Sequence, residues 1–259
     1  ALKAYFAGWA QDDQSFFICT NERDQRFFDV YEYDAHAYER SLIFQNEAGY
    51  NFAGITPNRR YLALAKTETN ADSDIYLCDR TTGQLENITP HEGDINHYPM
   101  DFTHDGQHLY YTTDQDSEFL YLMRYSLGSG DRQKIAEAEW DIDGASFSKG
   151  GKYLVIRINN DARTELRIYD TATMAPVALP SLPDADISAV SISRSEDWMA
   201  FYASNSKMPR DLFVYDFSGQ EPICLTQSLN PNIAPQDLVA GQVIRFPSYD
   251  DLAIPGILY

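Results

Sequence analysis

Every 45 to 47 residues this chain returns to the same pattern. The anchors are Ala10, Thr56, Thr103, Ser148 and Ser193. A large apolar residue stands immediately before each one: Trp9, Ile55, Phe102, Phe147 and Ile192. Six positions after each anchor, another apolar residue opens a strand-like run: Phe16, Leu62, Leu109, Leu154 and Met199. Short strands repeated at roughly 40–50 residues are the signature of propeller blades. Each blade is four antiparallel strands joined by short turns. The repeat therefore predicts an all-β chain, a β-propeller of four-stranded antiparallel blades. Five repeats are visible, at residues 1–46, 47–93, 94–140, 141–185 and 186–226.

The third repeat lays out the logic. YPMDFT is a first strand, HDGQ a tight turn and HLYYTT a second strand. DQDSE then leads to FLYLMRY, and GSGD to RQKIAE. Asp105-Gly106 supplies the positive φ of a two-residue hairpin. The same reading places fourth strands at VALP (177–180) in the fourth repeat and PICLT (222–226) in the fifth. Two positions before the anchors stand Gly8, Gly54, Asp101, Ser146 and Ser191, all small or short, as expected where blades crowd together.

Charge narrows the partners. Against 20 Lys and Arg there are 39 Asp and Glu, a formal net charge of −19. Such a field repels phosphate backbones and anionic membranes, so neither nucleic acid nor a membrane is expected as a partner. No run of 18 apolar residues exists that could form a spanning helix. Cys19, Cys78 and Cys224 are odd in number, far apart and set in apolar runs, so all three read as buried free thiols. Free thiols and an N-terminus without a signal-peptide layout point to the cytoplasm, although ALKAYFAGWA also reads as a processed or truncated end.

No self-contained catalytic apparatus is legible. A serine hydrolase needs G-x-S-x-G on a strand-to-helix turn. The nearest string, Gly144-Ala145-Ser146-Phe147-Ser148, has Ser in place of the second Gly and lies in a first strand. Among His36, His91, His97, His104 and His108, only His91 and His97, with Glu92 and Asp94, could together take a cation, and a solvated loop is the plainer reading. No GxGxxG, P-loop, HExxH or calcium loop occurs, so no cofactor, metal or catalytic residue is predicted.

After Thr226 the repeat stops. Residues 227–241 read as a linker and 242–259 as a hairpin outside the blades. Val243, Phe246, Ser248, Asp250, Asp251, Ile254, Pro255, Gly256, Leu258 and Tyr259 resemble the start of the α/β-hydrolase domain in the prolyl oligopeptidase (S9) family of serine peptidases, with Asp251 where that family has Gly. The repeats resemble the same family and TolB-like propellers through Thr103-His104-Asp105-Gly106, Ile75-Tyr76-Leu77-Cys78-Asp79 and Leu212-Phe213-Val214-Tyr215-Asp216. The resemblance implies a propeller of seven or eight blades, of which these five are part. It implies a peptide substrate, a hydrolase domain of the same protein lying beyond Tyr259, and a gating role for the propeller.

Loops on a rigid scaffold tend to carry binding. The loops between second and third strands, with the link HEGDINHY (91–98), form the expected contact face. Arg26, His97, Arg163 and Arg210 are the candidate substrate contacts on it. The alternative is a free-standing TolB-like propeller that binds other proteins. A carbohydrate-active propeller would need inward carboxylates on the first strands, and only Asp101 fits. Five blades left as an open arc would expose apolar faces and self-associate as a homo-oligomer.

Overall fold

The computed structural model describes residues 1–161, 163–180, 182, 185–219 and 221–259. Among these, the first sheet holds β1 (Ala4–Trp9), β2 (Ser15–Asp24), β3 (Phe27–Asp34) and β4 (Arg40–Phe44). The second holds β5 (Asn51–Ile55), β6 (Tyr61–Thr69), β7 (Asp72–Asp79) and β8 (Gln84–Asn87). The third holds β9 (His97–Phe102), β10 (His108–Thr113), β11 (Tyr121–Ser126) and β12 (Arg132–Ala136). β13 (Ile142–Phe147), β14 (Tyr153–Asn160) and β15 (Arg163–Asp170) make the fourth. β16 (Asp186–Ile192), β17 (Trp198–Asn205), β18 (Met208–Asp216) and β19 (Ile223–Cys224) make the fifth, and β20 (Gln242–Pro247) with β21 (Ala253–Leu258) a terminal hairpin. Strands lie in chain order within each sheet, the arrangement of a propeller blade. The chain divides into two compact units, residues 1–138 with 144–147 and residues 139–143 with 148–259.

The anchor hydroxyls explain the repeat. Thr56, Thr103, Ser148 and Ser193 each accept, at Oγ, the backbone N–H five residues later, at 2.9 to 3.2 Å. The N–H of each anchor in turn reaches the carbonyl at that same later residue. The residue three after each anchor closes the turn onto the anchor carbonyl, and it has positive φ: Asp13, Arg59, Gly106, Gly151 and Glu196. The hairpin loop is thus four residues long in every repeat, not the two expected from Asp105-Gly106, because the return bond from the positive-φ residue closes a turn inside it. Ala10 has no hydroxyl, so the first turn keeps these backbone bonds without the side-chain bridge.

Acids spaced five apart mark four of the five third strands, all but β11: Asp29 and Asp34, Asp74 and Asp79, Glu165 and Asp170, Asp211 and Asp216. The later acid caps the following turn: Asp34, Asp79, Asp170 and Asp216 each accept a backbone N–H two or three residues on. In three sheets the earlier one holds the segment leaving the fourth strand. Asp29 accepts Asn46 N (2.8 Å), Asp74 accepts Thr89 Oγ1 (3.1 Å) and Asp211 accepts both Thr226 Oγ1 and Ser228 N (2.8 Å). Seven of the 39 acids are thus engaged in fixing turns and links.

Alternate residues of each second strand go to opposite neighbours. In the first unit, Leu62 and Leu64 of β6 pack with Phe17, Cys19, Val30 and Ile43, whereas Ala63 joins Ile75, Phe102, Leu109 and Tyr111. In the second unit, Met199, Phe201 and Ala203 pack with Tyr153 and Ile168. Burying each such large side chain is worth about 1.5–3 kcal/mol, so near-continuous apolar runs are favoured. On the first sheet the same column stays open. Trp9 meets Phe16 edge to face (rings 5.4 Å apart), Phe16 stacks parallel on Tyr33 (5.3 Å), and Trp9 is exposed, whereas Leu62, Leu109, Leu154 and Met199 are fully buried.

Several expectations need correction. A Cβ on Gly8 would meet nothing within 4 Å, so its φ of 132° beside a bulge in β1, not crowding, is what requires glycine. The expected fourth strand at 177–180 is reduced to one bridge, Tyr169 with Pro176, because proline brings no N–H to the ladder. PICLT shrinks to β19, and Cys224 on that edge is exposed, whereas Cys19 and Cys78 are buried.

Candidate binding face

Each unit has its own set of sheet ends where second strands turn into third strands. In the first unit, Arg23 clamps the fully buried Asp29 with two hydrogen bonds (2.6 and 2.8 Å) and donates to Asn46 O at 2.6 Å. Burial pushes the Asp29 carboxyl up, but this fork and the Asn46 N–H outweigh it and hold it below its ordinary value. Asn46 Oδ1 accepts the N–H groups of Gly49 and Tyr50, which turns the link into the second sheet. Arg26 lies further out. Its guanidinium pairs with Asp24 at 2.7 Å and covers the Phe27 ring at 5.0 Å, with the side chain exposed.

His97 is not on a solvated loop. It is 2% exposed and opens β9, with Ser73 Oγ bonded to both its backbone N and O (3.0 and 3.2 Å). Neither ring nitrogen has a hydrogen-bond partner. The ring lies 5.1 Å from that of His91, and burial depresses its pKa to about 4. His91 in turn sits among Asp72 (3.2 Å), Asp74 (3.4 Å) and the Thr89 carbonyl (2.9 Å). Aligning the repeats would have located this burial, because His97 occupies the column of Ile142 and Ile187, both buried.

In the second unit, Arg163 opens β15 and is exposed, and position 162 of its loop lies outside the described residues. Arg210 of β18 is exposed and lies 4.4 Å over the Tyr202 ring. The four candidates are thus distributed: Arg26 in the first sheet, His97 in the third, Arg163 in the fourth and Arg210 in the fifth, each held by its own surroundings. The sequence reading missed Asp161. Arg245 of β20 donates to Asp161 Oδ2 at 2.6 Å, and Gly241 N donates to Ser206 Oγ at 3.1 Å. These bonds seat the terminal hairpin against the second-to-third-strand turns of the fourth and fifth sheets.

Ser146 lies inside β13 and is followed by a turn and β14, not a helix. Ser148 is occupied by the Tyr153 N–H and the Glu196 carboxylate. A cleft of about 500 Å³ near Lys152, Trp198 and Phe217 lies at the opposite, turn end of the second unit, and its acids Glu196 and Asp216 already accept backbone N–H groups.

Dipeptidyl aminopeptidase BIII of Pseudoxanthomonas mexicana is 24% identical over 245 residues, which is 92% of this chain and 35% of that protein. The Tol-Pal system protein TolB of Wolinella succinogenes is 26% identical over 164 residues, 63% of this chain and 38% of that protein. A puromycin-hydrolyzing peptidase of Mycobacterium tuberculosis, of known structure, superposes with a TM-score of 0.74 at 12% identity, covering 98% of this chain and 42% of that one. The chain therefore spans little more than a third of the length of these curated relatives. The model of the prolyl oligopeptidase N-terminal β-propeller domain matches residues 2–228. Because that match runs through all five repeats and stops where the connector to the terminal hairpin begins, the chain belongs to the prolyl oligopeptidase N-terminal β-propeller domain family.

Proposed function

We propose that the chain is the propeller of a serine peptidase of the dipeptidyl- or acylaminoacyl-peptidase type, and that it gates peptide access to an α/β-hydrolase domain continuing beyond β21. The observation that carries this reading is the seating of the terminal hairpin on the loop ends through Arg245–Asp161 and Gly241–Ser206. A following domain would then meet the loop ends of the second unit, where Arg163 and Arg210 stand exposed. An arginine fork suits the terminal carboxylate of a peptide. On this reading the chain itself holds no acyl-transfer machinery. Purified chain should leave aminoacyl and peptidyl chromogenic substrates intact. Turnover abolished by a serine-directed inhibitor would overturn the assignment. In the polypeptide carrying both domains, short peptides should be cleaved and folded proteins spared.

The second reading, a TolB-like platform for other proteins, is favoured by the 26% identity to TolB. That similarity covers 63% of the chain, against 92% for the dipeptidyl aminopeptidase.

A further inference from the structure

The link between the second and third sheets, residues 89–97, is closed by three backbone contacts, two onto Ser73 at the start of β7 and one onto Asp114 just after β10. Ser73 N donates to Ile95 O, Asn96 N to Asp114 and His97 N to Ser73 Oγ. Beneath it lie the two touching imidazoles. Two positive rings at 5.1 Å in a buried site would repel each other, so the pair has room for one proton. The surroundings decide which ring takes it. His91 faces Asp72 and Asp74 of β7, with the Thr89 carbonyl at its Nδ1. His97 faces His91, Asp74, Asp114 and the Arg132 guanidinium of β12, and neither nitrogen has an acceptor. Glu92 and Asp94, on the link itself, are exposed to water.

We propose that His91 and His97 act as a one-proton clasp: a proton taken from solvent by His91 fastens the 89–97 link onto the second sheet, and its loss loosens the link. Protonated His91 donates to Asp72 and to Thr89 O and stands beside Asp74, all on the strand or link that the closure joins. Neutral His91 keeps a single N–H and can serve only one of them. His97 is the reason the proton goes nowhere else. Burial holds His97 down, whereas hydrogen bonds and the two carboxylates raise His91 against its own desolvation. The clasp belongs to the chain alone and does not rest on the peptidase reading.

Side-chain ¹H–¹⁵N spectra of the whole chain from about pH 4.5 to about pH 8.5 test it directly. His91 should titrate above the ordinary histidine midpoint, and His97 should stay neutral throughout. Titration of His97 in that range, or of His91 at or below the ordinary midpoint, overturns the proposal. Amide exchange, corrected for intrinsic rate, reads the fastening. Ser73, Asn96 and His97 amides should be protected several-fold more at about pH 5.5 than at about pH 8. His91→Gln should erase that difference. His97→Ile, which matches the buried isoleucine column, should keep it. Equal protection at both pH values in the unmodified chain, or loss of the effect in His97→Ile, sinks the clasp.

Discussion

Arg59 Nη2 donates to both carboxylate oxygens of Asp12 at 2.9 Å, tying the turn of the second sheet to the turn of the first, 47 residues earlier. The same guanidinium reaches Glu32 and Ser15 Oγ at 3.1 Å. Arg59 stands at a φ of 59°, so tether and backbone strain coincide at one residue. Arg59→Ala should lower stability by about 2 kcal/mol, losing the tether while keeping an unfavourable φ. Arg59→Gly loses the same tether but relieves the φ and should be about 1 kcal/mol more stable than the alanine variant. Urea denaturation of the two variants checks the order, and a glycine variant no better than alanine would place the whole effect in the side chain.

In the second unit the tether runs in the same direction, with the charge reversed. Glu196 Oε1 reaches back to the preceding turn, accepting Gly150 N at 3.0 Å, Lys152 N at 3.1 Å and the Ser148 hydroxyl. A Cβ on Gly150 would come within 2.6 to 2.9 Å of that carboxylate and displace it. Gly150→Ala and Glu196→Ala should each cost about 1–2 kcal/mol in thermal or urea unfolding. The double variant should cost little more than either, since both remove one set of bonds. Full additivity would mean the two residues act independently.

Asp101 joins the third sheet to β13, with one oxygen on Phe102 N (2.8 Å) and the other on Phe147 N (2.9 Å). Desolvation pushes its carboxyl up to about 6 against those two donors. In the unfolded chain it would ionise near its ordinary value, so the unfolded state sheds this proton first. Stability from this group therefore falls as pH rises between about 4 and 6, and stays at the lower level above that. Denaturation midpoints of Asp101→Asn, set against the unmodified chain across that window, should lack this component. Parallel profiles would refute the assignment.

Arg245 and Asp161 hold the terminal hairpin by a partly exposed pair, worth about 0.5–1 kcal/mol. Arg245→Gln should raise amide exchange across β20 and β21 several-fold while leaving β17 and β18 unchanged. Raising salt to about 1 M should reproduce much of the effect in the unmodified chain. A hairpin indifferent to both would be held by Gly241–Ser206 and apolar contact alone.

What could be read in advance followed from chemistry that recurs. The hydroxyl at 56, 103, 148 and 193 must meet an N–H five residues on, so its spacing survives in the sequence and reveals the sheets. Strands at sheet edges leave a weaker trace: 177–180 and 222–226 looked alike as apolar runs, yet pairing there depends on Pro176 and on neighbours far away in the chain. The face was harder still. Arg26 and Arg210 were found by position, but their partners Asp24 and Tyr202 came only from the fold. His97 looked polar and accessible because composition does not tell a loop from the first residue of a buried strand. Asp161 and Arg245 lie 84 residues apart, and no local pattern links them.

The terminal hairpin turns one residue more tightly than the sheets do. Ser248 N meets the Leu252 carbonyl, Asp251 N returns to the Ser248 carbonyl, and Asp251 has a φ of 62°. A census that asks for the anchor N–H on the carbonyl five residues on, with the return bond from three residues on, tallies five units, the number of sheets of three or more strands among the described residues. Blade numbers counted in related chains from the positive-φ turn residue alone, which Asp251 also supplies, will run one too high unless that five-residue span is required alongside it.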